Sequence, residues 1–221
     1  MSRQTGEGRP GVELFDKPEC PFCFKVRIAL AEQDRPYRHR PHDDPAVKAE
    51  RERLSPTGTV PILVEDGDRV LTESAVIMEY LAETGPGLMP DDAWERARAR
   101  SIAHFSDNRV GRAVREVIFE KRDRPAQDWD RARIDAGVAA WRGQCLPYLA
   151  EVLGERAFFA GVYSIADAAL TARFALAQAY GMDVPDTFPN LRAWFARMAE
   201  RASFAPAAPP KVRERLRVAV D

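Results

Sequence analysis

Cys20 and Cys23 stand two residues apart in the stretch KPECPFCFK, residues 17–25. Such a pair can hold a metal ion, close a small disulfide or present one reactive thiolate. The flanking residues weigh between these. VELF, residues 12–15, reads as a short strand, and Pro21–Glu32 reads as a helix with Val26, Ile28, Ala29 and Leu30 apolar. Cys20 then sits where strand and loop give way to helix. Unpaired amides and the positive end of the helix dipole favour a thiolate there. Lys17 and Lys25 add positive charge nearby, and Pro21 fits the first helical position without losing a hydrogen bond. Cys23 falls one turn deeper on the same face. Cys20 is therefore expected to be the exposed nucleophile and Cys23 a protected partner able to resolve a mixed disulfide. C-x-x-C beside a βαβ pattern reads as a thioredoxin-like redox motif, with an inert buried pair as the bland alternative.

A zinc reading fails on spacing. The string Cys20-x2-Cys23-x15-His39-x2-His42 leaves two residues between its histidines, where zinc fingers leave about three to five. His39 and His42 also flank Pro41, off any helix. No metal is expected.

Two further pieces could do chemistry. Pro61 opens a strand after a glycine-containing loop, and proline cannot donate to a ladder. Either the Val60–Pro61 peptide is cis, or Pro61 sits on an edge strand in trans. In the first case the N–H and C=O of Val60 point outward, where an extended peptide could pair. At residues 72–74, TES closes a strand and opens a helix. The Ser74 hydroxyl and the first-turn amides suit a carboxylate, and Glu73 suits an ammonium group. Taken alone, that pair reads first as ordinary helix capping.

The elements that would position these residues follow from periodicity. Strands are predicted at 12–15, 36–40, 60–64 and 69–72, with EDGD at 65–68 as a hairpin turn. Helices are predicted at 21–32, 45–54 and 73–83. The order is β-α-β-α-β-β-α over residues 11–84, with the first βαβ unit parallel. Gly and Pro at 85–90 read as a linker. After it no strand pattern survives. Helical stretches are expected at 91–121, 129–153, 165–180 and 188–202, in an all-helical domain at 91–205. Trp94, Ile102, Phe105, Val110, Val114 and Val117 are predicted to face inward from the first of these, and Pro147 to kink the second. Asp167 and Arg173 interrupt the apolar stretch 157–182. Cys145, at a helical core position, is expected to be an inert buried thiol. Residues 1–10 read as a polar tail, and the chain end as an extended tail with a short last helix.

Composition bounds the rest. Lys plus Arg is 33 and Asp plus Glu is 34 in 221 residues, a net charge of -1. That balance argues against a dedicated nucleic-acid binder. The runs at 95–100 and 121–124 are read as solvated helix faces. No run approaches the roughly 18 apolar residues of a membrane span, and the start lacks a signal-peptide core. Three cysteines make a disulfide framework improbable on count alone, so a cytoplasmic location with reduced thiols is expected.

Together CPFC, TVPIL, TESAVIMEYL and SIADAAL (residues 164–170) resemble the cytosolic glutathione transferase family, over nearly the whole chain from about 12 to 204. The resemblance implies a thioredoxin-like domain followed by a helical domain, glutathione as co-substrate and a homodimer. It implies that Cys20 meets the glutathione sulfur, that Phe22 lies beside it, and that Val60, before a cis Pro61, pairs with the cysteinyl backbone. Glu73 and Ser74 would hold the γ-glutamyl end. Lys48 is the candidate for the glycyl carboxylate, with Arg51 or Arg53 in reserve. The commoner transferases use Tyr or Ser near the first strand, and residues 12–19 offer neither. The site is similar to the cysteine-type branch, omega-class enzymes and glutaredoxins, with Cys23 adding to the glutaredoxin likeness. The implied activity is thiol transfer or disulfide reduction, such as deglutathionylation or dehydroascorbate reduction. The rivals are a conjugating transferase or isomerase for a small electrophile, and a non-catalytic scaffold similar to the stringent starvation proteins. A second-substrate pocket is expected between the domains, lined from about 105 to 119. SIADAAL is read as a structural helix cap, worth about 0.5–2 kcal/mol.

Overall fold

The computed structural model describes residues 11–218. The polar stretch 1–10 lies outside them. Strand β1 (Val12–Asp16) leads into helix α1 (Pro21–Glu32), β2 (Arg38–Pro41), α2 (Pro45–Leu54), β3 (Ile62–Glu65), β4 (Arg69–Leu71) and α3 (Ser74–Thr84). The sheet order is β2-β1-β3-β4. β1 and β2 are parallel, joined through α1, while β1–β3 and β3–β4 are antiparallel. β2 and β3 each start two residues later than the sequence expectation, because Pro36 and Pro61 precede the laddered residues.

Register brings the chemistry together. Phe15 lies opposite Ile62, so the end of β1, which leads to Cys20, abuts the start of β3 at Val60–Pro61. That peptide is cis. Asp66 and Gly67, at φ 54° and 87°, turn the β3–β4 hairpin. Leu63 then pairs with Leu71, which brings Glu73 level with Pro61.

Among the described residues every named element after α3 is a helix. α4 (Ala93–Phe105) continues through a π turn (Ser106–Val110) into α5 (Gly111–Asp123). α6 (Arg131–Ala140) continues through a second π turn (Trp141–Cys145) into α7 (Leu146–Leu153). Pro147 lies in the first turn of α7, so the expected irregularity takes the form of a π turn just before it. Then come α8 (Ile165–Ala179), α9 (Pro189–Ala199), α10 (Phe204–Ala207) and α11 (Pro210–Leu216). The last two run past residue 205; α10 packs on α1 and α11 on α8.

α1 and α8 pack against each other at the centre of the molecule. Residues 23–30 of α1 and 165–177 of α8 are all buried. A helix buried all round should be apolar all round. Each of these carries two charges instead: Lys25 and Arg27 on α1, Asp167 and Arg173 on α8. Arg27 holds Asp16 at 2.6 and 2.8 Å and donates to the carbonyls of Pro18 and Ala207, both at 2.8 Å. It thereby fixes the loop that delivers Cys20. A smaller cluster of Phe15, Val47, Ile62 and Val64 seals α2 onto the sheet.

Trp94 corrects one inward assignment: it is 73% exposed at the start of α4. Its spacing fits the buried stripe, but among the described residues its side chain is left uncovered at the first turn of that helix. Gly137 marks the closest approach of α6 to α5, since a Cβ there would lie 2.8 Å from the Ala113 carbonyl oxygen and from Val117 Cγ2. Gly137→Ala is therefore expected to destabilise the protein by about 1–3 kcal/mol despite its better helix propensity, read from the urea midpoint. Among the described residues, no helix is long and apolar enough to cross a membrane.

Candidate active site

Cys20 is the N-cap of α1, with extended backbone. Its N–H donates to the Lys17 carbonyl at 3.1 Å, and its own carbonyl accepts the first helical bond from Phe24 at 2.9 Å. Its Sγ lies 4.0 Å from the Val60 carbonyl oxygen. The Cys20 thiol is drawn down to about 7. A hydrogen bond from the Cys23 side chain is the main cause; burial opposes it, while the amides of Cys23 and Phe22 and the charge of Arg173 assist. Cys23 is fully buried, and its thiol is pushed well above the usual range, chiefly by burial and then by Cys20 itself. Both are free thiols, as is Cys145, which burial raises to about 11.

Two cavities lie on either side of Phe22, and the thiol lines the second. The first, of about 360 Å³, is lined by Thr57, Thr59, Val60, Pro61, Glu73 and Ser74, with Phe22 at its edge. Glu73 is held at φ 64°, ψ 107°, a left-handed conformation that a non-glycine residue adopts at a cost of about 1–3 kcal/mol. The N-terminus of α3 opens on this cavity through Ser74 and Ala75. The second cavity, of about 200 Å³, is lined by Cys20, Phe22, Arg115, Phe119, Arg122 and Arg173. Phe22 borders both.

The structure thus brings Cys20, Phe22, Val60, Pro61, Glu73 and Ser74 into one place, with Cys23 buried behind Cys20. It does not bring in Lys48, which is exposed on α2 and lines neither cavity. Arg51 instead donates to the His42 carbonyl at 3.1 Å. The spacing of α2 left several basic residues as candidates, and none of Lys48, Arg51 and Arg53 lines either cavity. Phe105 lies apart from the second cavity and packs on Tyr148, with ring centroids 4.4 Å apart. Arg122, read as solvated, lines that cavity.

Two residues of the site were not singled out as such. Asp107 projects from the first π turn, lines the first cavity and accepts from Lys25 at 2.5 Å. Lys25 is therefore an internal ion-pair partner and not a loose surface charge. Arg173 lies 3.5 Å from the other Asp107 oxygen, with its guanidinium carbon 4.6 Å from the centre of the Phe22 ring. Two buried cations share one carboxylate, which leaves an excess positive charge beside Cys20. Burial lowers the pKa of both Lys25 and Arg173, and Asp107 opposes that in each case. Arg173 had a visible signal, a lone cation in an apolar stretch. Asp107 had none, because it lies in a charged helix whose phase a π turn shifts. Among the described residues, no group of three or more His, Cys, Asp or Glu could hold a metal ion.

The fold and site define a two-part protein, a thioredoxin-like sheet domain bearing a thiol at a helix N-terminus, followed by a helical domain. The family model for the glutathione S-transferase N-terminal domain matches residues 14–88, and that for the glutathione S-transferase C-terminal domain matches residues 142–202. FtsZ-localized protein A of Caulobacter vibrioides is 30% identical over 204 residues, covering 87% of this chain and 89% of its own. Maleylacetoacetate isomerase of Pseudomonas aeruginosa is 29% identical over 210 residues, covering 89% and 93%. The crystal structure of a glutathione S-transferase from Rhodospirillum rubrum F11 superposes with a TM-score of 0.79 at 30% identity, covering 89% of this chain and 91% of that one. The chain belongs to the glutathione S-transferase family.

Proposed function

We propose that this chain is a glutathione-dependent thiol transferase or disulfide reductase with Cys20 as its nucleophile. The observation that supports this most is a thiol drawn to about 7 that lines the second cavity and lies 4.0 Å from the carbonyl oxygen of Val60, on the wall of the first. In this reading the first cavity holds glutathione. Val60 pairs with its cysteinyl backbone, Phe22 lies beside the sulfur, and Glu73 and Ser74 take the ammonium and carboxylate of the γ-glutamyl end. Among the described residues no cation lines that cavity, so the glycyl carboxylate is assigned no charged partner.

The Cys20 thiolate attacks the glutathionyl sulfur of a mixed disulfide. That S–S bond breaks, the substrate thiolate leaves and takes a proton from water, and Cys20 keeps the glutathionyl group. A second glutathione, as thiolate, attacks the glutathionyl sulfur, so glutathione disulfide leaves and the Cys20 thiolate returns. Cys23, buried and with its thiol pushed up, serves as donor to Cys20 and not as attacking group. The protein is proposed to work as a homodimer, and the exposed Val76 and Trp94 suit such a contact.

Glu73→Gln removes the partner of the ammonium group and is expected to weaken glutathione binding by about tenfold, measured by calorimetric titration. A second reading, conjugation or isomerisation of a small electrophile, is favoured by the relative named maleylacetoacetate isomerase and by the aromatic lining of the second cavity. Turnover of hydroxyethyl disulfide against chlorodinitrobenzene separates the two. Loss of conjugation in Cys20→Ser with disulfide reduction spared would overturn the first reading. A scaffold role, which the relative named FtsZ-localized protein A favours, would follow from failure to bind immobilised glutathione.

A further inference from the structure

Arg173 is 5% exposed at the centre of the molecule. Among the described residues its one polar partner is Asp107 Oδ1, at 3.5 Å, and that carboxylate is already engaged by Lys25 at 2.5 Å. Its Nη2 is buried without a hydrogen bond. A guanidinium has five donors, and burying them unmet is costly. The fold nonetheless builds a place for it. Gly111 leaves the space, since a Cβ there would come within 3.0 Å of Nη2, and the Phe22 ring lies against the guanidinium. Cys20 does not use these donors, because no hydrogen bond joins it to Arg173 among the described residues, and it is served by Cys23 and two amides.

The cavity that Arg173 lines has two kinds of wall. Phe22 and Phe119 are large apolar side chains, 37% and 39% exposed, and both line it. Lys17, Arg115 and Arg122 line it as well, against one carboxylate, Glu19, which accepts from the Tyr180 hydroxyl. Arg115 and Arg122 pair with Glu116 and Asp123 and lie over the Phe119 ring. Among the described residues that line the cavity, Arg173 is thus the buried cation with unmet donors, since Lys17 is only half-buried, and the two phenylalanines leave part of their apolar surface exposed. A volume of about 200 Å³ suits a single ring.

We propose that this cavity takes an aromatic carboxylate as second substrate, its ring against Phe22 and Phe119 and its carboxylate on Arg173. The proposal rests on the reading that the cavity beside Cys20 receives the second substrate. It makes Arg173 a specificity-determining residue.

The test uses two pairs of compounds matched in size. In the first, kcat/KM is compared for the mixed disulfides of glutathione with 4-mercaptobenzoate and with 4-mercaptobenzyl alcohol. In the second, 4-methylbenzoate and 4-methylbenzyl alcohol are titrated calorimetrically into the full chain. The carboxylate is expected to be preferred by about tenfold or more in each pair, and Arg173→Met to bring both ratios to within about twofold of one. Gly111→Ala, which crowds Nη2 while favouring the helix, is expected to reduce both ratios and serves if Arg173→Met fails to fold. A ratio near one in the unaltered protein, or a preference that survives in folded Arg173 and Gly111 variants, overturns the proposal. Anion binding without turnover of either disulfide would leave the carboxylate site standing and remove the thiol-transferase reading. Turnover without preference would do the reverse.

Discussion

Cys20→Ala is expected to lower glutathione-dependent disulfide reduction by about a thousandfold or more, while leaving the fold and glutathione binding in place. No other thiol can substitute. Cys23 and Cys145 are buried, and burial holds both thiols in the protonated form. Cys20 differs because its charge is met from several sides: the Cys23 side chain, two amides at the start of α1, and Arg173. Activity of the unaltered protein should climb as pH rises through about 7, where the thiolate forms. Cys23→Ala removes the largest of these supports and should move that rise to higher pH. Cys23→Ser keeps a donor and should move it less. Both should still turn over, since the proposed cycle needs only one cysteine. Steady-state rates across pH check all three variants.

Asp167→Asn is expected to destabilise the protein by about 3 kcal/mol. Asp167 closes a capping box, accepting from the Ser164 N–H at 3.1 Å, while Ser164 Oγ accepts from Ala166 at 3.3 Å. It also accepts from Ser164 Oγ at 3.1 Å, from Phe159 N–H at 3.2 Å and from Trp194 Nε1 at 2.9 Å. Every partner of its carboxylate is a donor. A protonated carboxyl can turn its one O–H to Ser164 Oγ, but an asparagine NH2 carries two hydrogens and sets at least one against an N–H of Ser164, Phe159 or Trp194, so the isosteric change breaks what it cannot replace. Capping alone would be worth about 0.5–2 kcal/mol; the ties to α9 through Trp194 and to the Phe159 loop raise the effect.

A pH dependence accompanies that loss. Burial raises the Asp167 carboxyl from 3.8 to about 6, despite its hydrogen bonds. Between those values the folded protein holds a proton that the unfolded chain has released. This group's contribution to stability is therefore full below pH 3.8 and declines as pH rises to about 6. Asp167→Asn lacks that slope, so the gap between the two proteins should narrow as pH rises across this window. Urea midpoints measured along it give the difference curve.

The fold was legible because its signals are local. Alternating and helical periodicities gave β1 through α3, and Ser164 with Asp167 marked the start of α8. Residues 20, 60–61 and 73–74 stood out because each sits at an element boundary, where cysteine, proline and a Glu-Ser pair have few structural reasons to occur together. What was not legible depends on packing between distant segments. Asp107 reaches Lys25 only because a π turn shifts the phase of the α4–α5 helix. Arg173 was visible as a charge among apolar residues, but its place beside Phe22 depends on how α8 crosses α1. Lys48 and Trp94 failed for the same reason in reverse. Helical spacing fixes which residues share a face, and the neighbours decide whether that face meets a cavity, a core or nothing.

The central claim is that Cys20 accepts a glutathionyl group. Peptide mass spectrometry after incubation with glutathione disulfide tests it most directly. One glutathionyl adduct should form on Cys20, vanish on addition of reduced glutathione and be absent from Cys20→Ala. An unmodified Cys20, or an adduct on Cys145 that persists in Cys20→Ala, would contradict it.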